Sequence, residues 1–468
     1  MTSRFPTTLS GSSTPSSSRS CPRSPSTVCW GWSCTPCAAT TDIRRTPVAE
    51  HHGPKPVKTP FMSRGTLVLI ALALAGGACY LYRMVFGLAA ATNLDNQWPW
   101  GIWIAIDVAS GVALAAGGFT TAALADIFHK EKYHAIVRPA LLTAMLGYTF
   151  VVIGLLADLG RYYNVWHPML PSMWQGNSVL FEVGICVMIY LSVLYIEFLP
   201  IVAERFMGRV NLPGPLRIFN RVVDSWLIVC HRFLGRFISL FIIAGVVLSC
   251  LHQSSLGTLM VIAPTKVHPL WYTPALPALF LMSAIAVGFP MVIFESILAS
   301  RSFKLRPERE LLSGIAMYTP VLLAAYLAVK IADLVERDAV RYVFEGSLQS
   351  VMFLIEVGLG VVAPMVILLS KRARNSIAGL FTASSLVIFG VALNRINVFL
   401  ISYRPLYPEK SYFPSPFEIL VTVGLISTLV LVYRAIVMIF PVIAAAPEAA
   451  PREVVVTAPA SEPEGATR

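Results

Sequence analysis

The chain has 468 residues, 56% of them hydrophobic and only 13% charged, with a mean hydropathy of +0.68. Soluble domains carry about 25% charged residues, so this composition excludes an ordinary soluble enzyme and points to a chain that meets hydrocarbon over most of its length. A net charge of +11 does not imply a nucleic-acid partner, because the Lys and Arg residues stand in short clusters between apolar stretches, where they orient a membrane protein.

From the N-terminus, residues 1–61 form a polar tract rich in Ser, Pro, Thr and Arg. Without apolar periodicity it cannot bury enough surface to offset the entropy of ordering, and disorder is expected. Its first part, 1–47, has no targeting logic, since Arg44-Arg45 is not closely followed by an apolar run. This part resembles an upstream region translated out of frame, with initiation near Val48 or at Met62. Cys21, Cys29, Cys34 and Cys37 fall in the tract, and Cys79, Cys186, Cys230 and Cys250 are scattered beyond it. Cys34-x-x-Cys37 has metal-ligand spacing but neither further ligands nor a scaffold, so neither a metal site nor a disulfide framework is expected.

Ten long apolar runs follow, near 66–91, 102–124, 139–157, 179–199, 233–251, 274–299, 315–334, 351–369, 377–400 and 417–440. Each approaches the ~20 residues that cross ~30 Å of hydrocarbon. Only helices and closed barrels satisfy their backbone in lipid, and continuous runs of this length exclude barrel strands. The expected fold is all-α, a polytopic transmembrane bundle over 62–442 with a disordered cytoplasmic tail at 443–468. Alternate loops divide the basic residues sixteen to six. One set holds Lys130, Lys132 and Arg138, then Arg205 to Arg236, Arg301 to Arg309 and Lys371 to Arg374; the other holds Arg161, Lys266, Arg337, Arg341, Arg404 and Lys410. The positive-inside rule then places both termini in the cytoplasm of a bacterium, with Trp98, Trp100, Trp103, Tyr162, Tyr163 and Trp166 as an interfacial belt on the outer face of the inner membrane. Ser178-Val-Leu-Phe-Glu182-Val-Gly at the fourth span echoes Ser350-Val-Met-Phe-Leu-Ile-Glu356-Val-Gly at the eighth. That interval of four helices suits two four-helix bundles and a further helix pair.

Ionisable side chains inside spans are costly and mark function or helix pairing. Asp107, Asp158, Arg161, Glu182, His252, Lys330, Asp333, Glu356 and Arg395 all fall in the outer half, while Glu197 and Glu295 lie towards the cytoplasmic ends. Asp107 is expected about 10 Å below the outer interface, with Glu182 and Glu356 comparably deep. Lys330 and Asp333 can lock one another at a spacing of one turn. Asp158 and Arg161 share a spacing of three, and Arg395, flanked by Asn394 and Asn397, needs a buried acid or a ligand. At the outer end of the fifth span, His252-Gln253-Ser254-Ser255 offers an imidazole and hydrogen-bonding side chains. Quinone carbonyls need such donors, and quinol oxidation needs a proton acceptor of suitable pKa. Capping of the helix end is the alternative role for His252.

These residues also carry a resemblance. Trp98-Pro99-Trp100-Gly101-Ile-Trp103-Ile-Ala-Ile-Asp107, Tyr133-His134-x-x-Val-Arg138-Pro139, Asp158-x-Gly160-Arg161-Tyr162, Asn177-Ser178-Val-Leu-Phe-Glu182, His252-Gln253-Ser254-Ser255-x-Gly257 and Val267-His268-Pro269-Leu270-Trp271 are similar to the HybB type of the NrfD family, over about 84–433. The resemblance implies a membrane subunit that exchanges electrons with the quinone pool through a periplasmic iron-sulfur, ferredoxin-like partner and a [NiFe]-hydrogenase-type module. Anchoring of a different periplasmic reductase, as in polysulfide reductases, is the alternative within the family. A secondary transporter is the rival of another class, with Pro290 and Pro320 as helix breakers.

The site expected on this basis is an outward quinone pocket. Asp158 and His252 exchange protons there, with Trp100, Asp107, Arg161, Glu182, Gln253 and Arg395 around the quinone. Arg161 fixes the ionisation of Asp158, and a proton route passes through Asp107, Glu197, Glu295 and Glu356. Of the eight histidines, His51, His52, His129, His134, His167, His231, His252 and His268, only His252 lies near a span. A bis-histidine haem needs two at matched depth, so no haem is expected.

Overall fold

The structure, a computed structural model, describes residues 54–211 and 213–443. The expectations for 1–47 and for the tail beyond 443 lie outside these residues. Among the described residues ten helices are long and apolar enough to cross a membrane: α1 (Arg64–Phe86), α2 (Trp103–Ile127), α3 (His134–Asp158), α4 (Val179–Phe206), α5 (Arg217–Val261), α6 (Leu276–Phe303), α7 (Arg309–Glu336), α8 (Leu348–Leu369), α9 (Ile377–Ile401) and α10 (Pro416–Ile439). Among the described residues the only β pairing is an isolated bridge between Val267 and Tyr403.

The helices pack as two groups of four. Helices α2 to α5 contact one another in sequence, α6 to α9 do the same, and α2 and α5 pack on α6 while α9 returns to α2. The most apolar stretches of α2 and α6 are 78% and 67% buried, against 11% for α1 and 22% for α10. The seam between the bundles is therefore built on α2 and α6, and α1 and α10 form an outer pair leaning on α3. That pair is close because Gly76 faces Gly424, and a Cβ on either would overlap the other's backbone. Ser415 and Glu418 form a reciprocal capping box that starts α10. One end of the assembly carries the Trp-rich connections and the other the basic loops.

The fifth helix corrects its expected bounds. Its regular part runs from Asn220 to Val261, 42 residues, or about 63 Å at 1.5 Å per residue, rather than 233–251. The polar segment after Leu251 does not end it. Ser254 and Ser255 donate to the Leu251 carbonyl at 2.9 Å, and Thr258 donates to the Ser254 carbonyl at 3.3 Å. These hydroxyls are thus satisfied by the helix they sit in.

Three spans contain widened π-helical turns: α2 at Trp103–Ser110 and Ala123–Ile127, α8 at Gly358–Val362 and α9 at Asn397–Ile401. Such turns re-aim side chains and recur at functional positions. Here they hold Asp107, directly follow the turn of Glu356, and start at Asn397.

Candidate functional site

At the Trp-rich end four helices bring acids together. Asp107, 9% exposed, accepts a hydrogen bond from Thr422 of α10 at 2.6 Å, and its Cβ lies over Gly154 of α3. Asp158 is one helical turn further along α3. One of its oxygens, Oδ1, is buried without a hydrogen-bond partner. The charged groups acting on it are Arg83 of α1 and Glu418 of α10. Arg83 is fully buried, donates to the Leu159 carbonyl at 2.6 Å, and lies 5.3 Å from the Tyr162 ring centroid. Glu418, also fully buried, accepts from Tyr412 Oη at 2.6 Å and from the amides of Ser415 and Asn93 at 2.8 and 3.2 Å. Its own carbonyl accepts from Trp103 Nε1 at 3.1 Å. Burial, and after it the Glu418 carboxylate, push the Tyr412 phenol up, so it stays a donor. Trp103 and Asp107, Gly154 and Asp158, and Glu418 and Thr422 are i, i+4 pairs whose faces pack on one another.

The expected role of Arg161 is corrected: it is exposed beyond the end of α3, and Arg83 is the cation at Asp158. Arg83, Glu418, Thr422 and Tyr412 escaped the sequence analysis. Arg83 closes a long apolar run and was absorbed into it, although an arginine three residues from a span's end was the available signal.

The remaining expected residues do not converge on this point. His252 is 1% exposed and lies about 14 Å inside the end of α5, not at that end as expected, because the helix continues past it. Its Nδ1 is 3.3 Å from Tyr148 Oη, and its Nε2 is buried without a partner. Gln253 donates to the Val112 carbonyl at 2.7 Å while its Oε1 is unpartnered. Glu182 accepts from Ser255. Trp100 packs edge-on against Phe399 and Tyr403 with centroids 6.2 and 6.0 Å away.

In the second bundle Lys330 pairs with Glu356 of α8, and Asp333 pairs with Arg337 at 2.5 Å and accepts from Thr273. The expected pairing of Lys330 with Asp333 is thereby corrected, because Glu356 reaches Lys330 from the neighbouring helix while Arg337, one turn further along α7, takes Asp333. Glu356 also accepts from Asn394, Asn397 and Trp271 at 2.8, 2.8 and 2.9 Å. Four donors and no acceptor around it make it an ionised carboxylate. Arg395 is committed to Asn394, Ser283 and the Phe280 carbonyl at 2.6, 2.9 and 3.1 Å, with its guanidinium 3.6 Å from the Phe280 ring centroid.

At the basic end Glu197 lines a cavity of 420 Å³ within the first bundle, together with Asp126, His134, Arg138, Glu204 and His231. Glu197 Oε1 is buried and unpartnered. Glu295 lies on other cavities, against α10. Glu197, Glu295 and Glu356 therefore do not share one file.

The chain is similar to several known membrane subunits. The family model described as polysulphide reductase, NrfD, matches residues 90–404. A Nitratidesulfovibrio vulgaris protein is 37% identical over 82% of this chain and 95% of its own length. The probable Ni/Fe-hydrogenase 2 b-type cytochrome subunit of Escherichia coli is 33% identical over 84% and 95%. The menaquinone reductase integral membrane subunit of N. vulgaris is 24% identical over 71% and 81%.

The second of these overturns the expectation of no haem, since a relative aligned along most of this chain is named a b-type cytochrome subunit. The expectation rested on counting histidine pairs, whereas haem iron is also held by one His alone or with a different ligand. In this chain His252 Nε2 is buried and unpartnered. His268 Nδ1 by contrast accepts the Leu270 amide at 3.3 Å. Over two thirds of its length, and with ten spans, the chain belongs to the NrfD family as a HybB-type, multi-pass membrane subunit of the hydrogenase and reductase class of complexes.

Proposed function

We propose that this chain is the quinone-reactive membrane subunit of a hydrogenase 2-like respiratory complex in a bacterial inner membrane, passing electrons between a periplasmic iron-sulfur partner and the quinone pool. The carrying observation is the Asp158 carboxyl at the Trp-rich end. An unsatisfied buried oxygen on this acid, a fixed cation in Arg83 and a second acid, Asp107, one turn away across α3 support proton exchange with a quinone ring there. The name of the N. vulgaris menaquinone reductase relative supports quinone as the substrate. The sixteen-to-six division of basic loop residues supports a periplasmic Trp-rich end and cytoplasmic termini.

Interconversion of quinone and quinol moves two protons with two electrons. In this proposal Asp158 exchanges a proton with the ring oxygen, Arg83 fixes its charge, and Asp107 hands the proton inward, with Glu197 and its 420 Å³ cavity serving the basic end. Trp100, Arg161 and Glu182, which lie apart from Asp158, take no part in this exchange, and His252 and Gln253 flank Tyr148 deeper in the first bundle. If a haem is held as in the E. coli relative's name, His252 would be its ligand and it would supply an electron relay. Arg395 and Glu356, committed to one another's neighbours, hold the second bundle together.

The test is Asp158→Asn. Quinone-linked turnover should fall by about 10²–10⁴, the usual worth of a positioned acid or base, while donor oxidation with an artificial acceptor and assembly of the complex persist. Full quinone-linked activity in both Asp158→Asn and His252→Ala would return these residues to a purely structural role.

A further inference from the structure

At the basic end, two adjoining cavities meet at Glu295. One, of 300 Å³, lies between the start of α1, the second half of α6 and the last turns of α10, at the lower end of the ~300–1,000 Å³ of small-molecule pockets. Most of its wall is apolar, including Leu69, Met291, Phe294, Leu298 and Val430. Leu298 and Val430 are each 42% exposed on the outer surface of the bundle, so the cavity opens towards hydrocarbon. The other cavity, of 70 Å³, is lined by Arg306 and Glu308 of the basic loop, and shares Glu295 and Tyr433 with the first. Glu295 and Tyr433 thus divide an apolar chamber from a smaller vestibule of mixed lining that carries Arg306 and Glu308.

The inner end of the chamber is polar and unsatisfied. Both carboxyl oxygens of Glu295, the Tyr433 hydroxyl and the Thr143 hydroxyl are buried and make no hydrogen bond of good geometry, although the two hydroxyls stand close enough to Glu295 to interact with its carboxyl. Glu295 lies about 12 Å inside the end of α6 at Phe303. Buried polar atoms without a good hydrogen bond normally find a ligand or water, since otherwise their lost hydration goes uncompensated. A carboxyl, a phenol and an aliphatic hydroxyl together offer both donors and acceptors, which suits a ring bearing carbonyl or hydroxyl oxygens. A phosphate headgroup is a poor match. Among the described residues Arg434 is the one cation in the chamber wall; its terminal nitrogens donate to Ser302 Oγ at 2.8 Å and the Pro60 carbonyl at 2.7 Å, which leaves only its Nε unpartnered.

We propose that this chamber binds a quinone-class amphiphile, its ring oxygens held by Glu295, Tyr433 and Thr143 and its apolar tail leaving between Leu298 and Val430. The chain then carries a quinone site at each end, and the vestibule at Arg306 and Glu308 gives this second one contact with the aqueous side. The proposal stands without the Asp158 site.

Photolabelling tests it on the wild-type complex in lipid nanodiscs, with an azido-naphthoquinone carrying a short isoprenoid tail and peptide mapping by mass spectrometry. Label is expected within residues 291–303 and 429–434, displaced by excess unlabelled naphthoquinone analogue but not by excess phosphatidylglycerol. Leu298→Trp, which narrows the mouth, should lower that labelling about tenfold, or about 1.4 kcal/mol in affinity, and leave labelling of 158–166 unchanged. Absence of label from 291–303 and 429–434 in the wild type overturns the proposal, and so does displacement by phosphatidylglycerol alone, which would make the chamber a lipid site. Label in these segments with none at 158–166 supports it while counting against the Asp158 site.

Discussion

Lys330 on α7 and Glu356 on α8 form an ion pair whose side chains are 5% and 2% exposed, closed over by Tyr326, Phe353 and Trp271. Lys330 lies 5.0 Å from the Phe353 ring centroid, and Glu356 takes three further hydrogen bonds. A pair so enclosed has lost its hydration on both sides and persists because Lys330 and three further donors satisfy the carboxylate.

Removing one partner therefore strands a buried charge. Lys330→Met and Glu356→Leu should each destabilise the protein by about 3–5 kcal/mol, and the double variant should recover a large part of that loss. Thermal unfolding of the purified protein in detergent measures both. Equal losses in the single and double variants would mean that the pair is not the unit of stabilisation.

The expectation for Lys330 shows where the sequence was legible and where it was not. The ten apolar runs and their loop charges mark the spans, and the echo around Glu182 and Glu356 marks the division into two bundles, because burial in lipid constrains composition along each helix. Partner choice is set by helix rotation, which no local spacing reports. Asp333 lies three residues from Lys330, yet it pairs with Arg337, and Lys330 reaches 26 residues along the chain to Glu356. In the same way Arg83 is tied to a carbonyl 76 residues away, while Arg161, three residues from Asp158, is exposed. The extension of α5 past Leu251 has a different cause, since Ser254, Ser255 and Thr258 can turn their hydroxyls back onto helix carbonyls, while its start at Asn220 lies in a basic stretch that apolar composition does not mark.

His268, in the connection between α5 and α6, gives a pH prediction outside the spans. Burial, and after it the nearby Arg404 charge, lower its pKa from 6.5 to about 4. It is 4% exposed, its amide donates to the Ser402 carbonyl at 2.9 Å, and its ring packs against Tyr342 and Trp271. A depressed pKa means that the folded state favours the neutral ring. Its contribution is complete above pH 6.5 and is lost as the pH falls towards 4. The unfolding midpoint of the wild type should therefore drop more steeply between pH 7 and pH 4.5 than that of His268→Gln, the flanks of the window being about the two pKa values. Parallel slopes would show that His268 is not the acid-sensitive group of this connection.

The last prediction separates the two arginines near Asp158. Arg83 is buried and acts on the acid, and its donation to the Leu159 carbonyl also holds the end of α3 against α1. Arg161 is exposed on the connection that follows. If the charge beside Asp158 matters to quinone chemistry, Arg83→Gln should lower quinone-linked turnover at least about tenfold, equivalent to about 1.4 kcal/mol in the barrier, and Arg83→Lys should restore part of it by keeping the charge while losing the planar fork. Arg161→Gln should stay within about twofold of the wild type, as expected for an exposed charge in high dielectric. Turnover with an artificial acceptor reports assembly in all three variants. A large loss in Arg161→Gln alone would move the quinone entrance outward to the aromatic connection after α3 and withdraw Arg83 from the site.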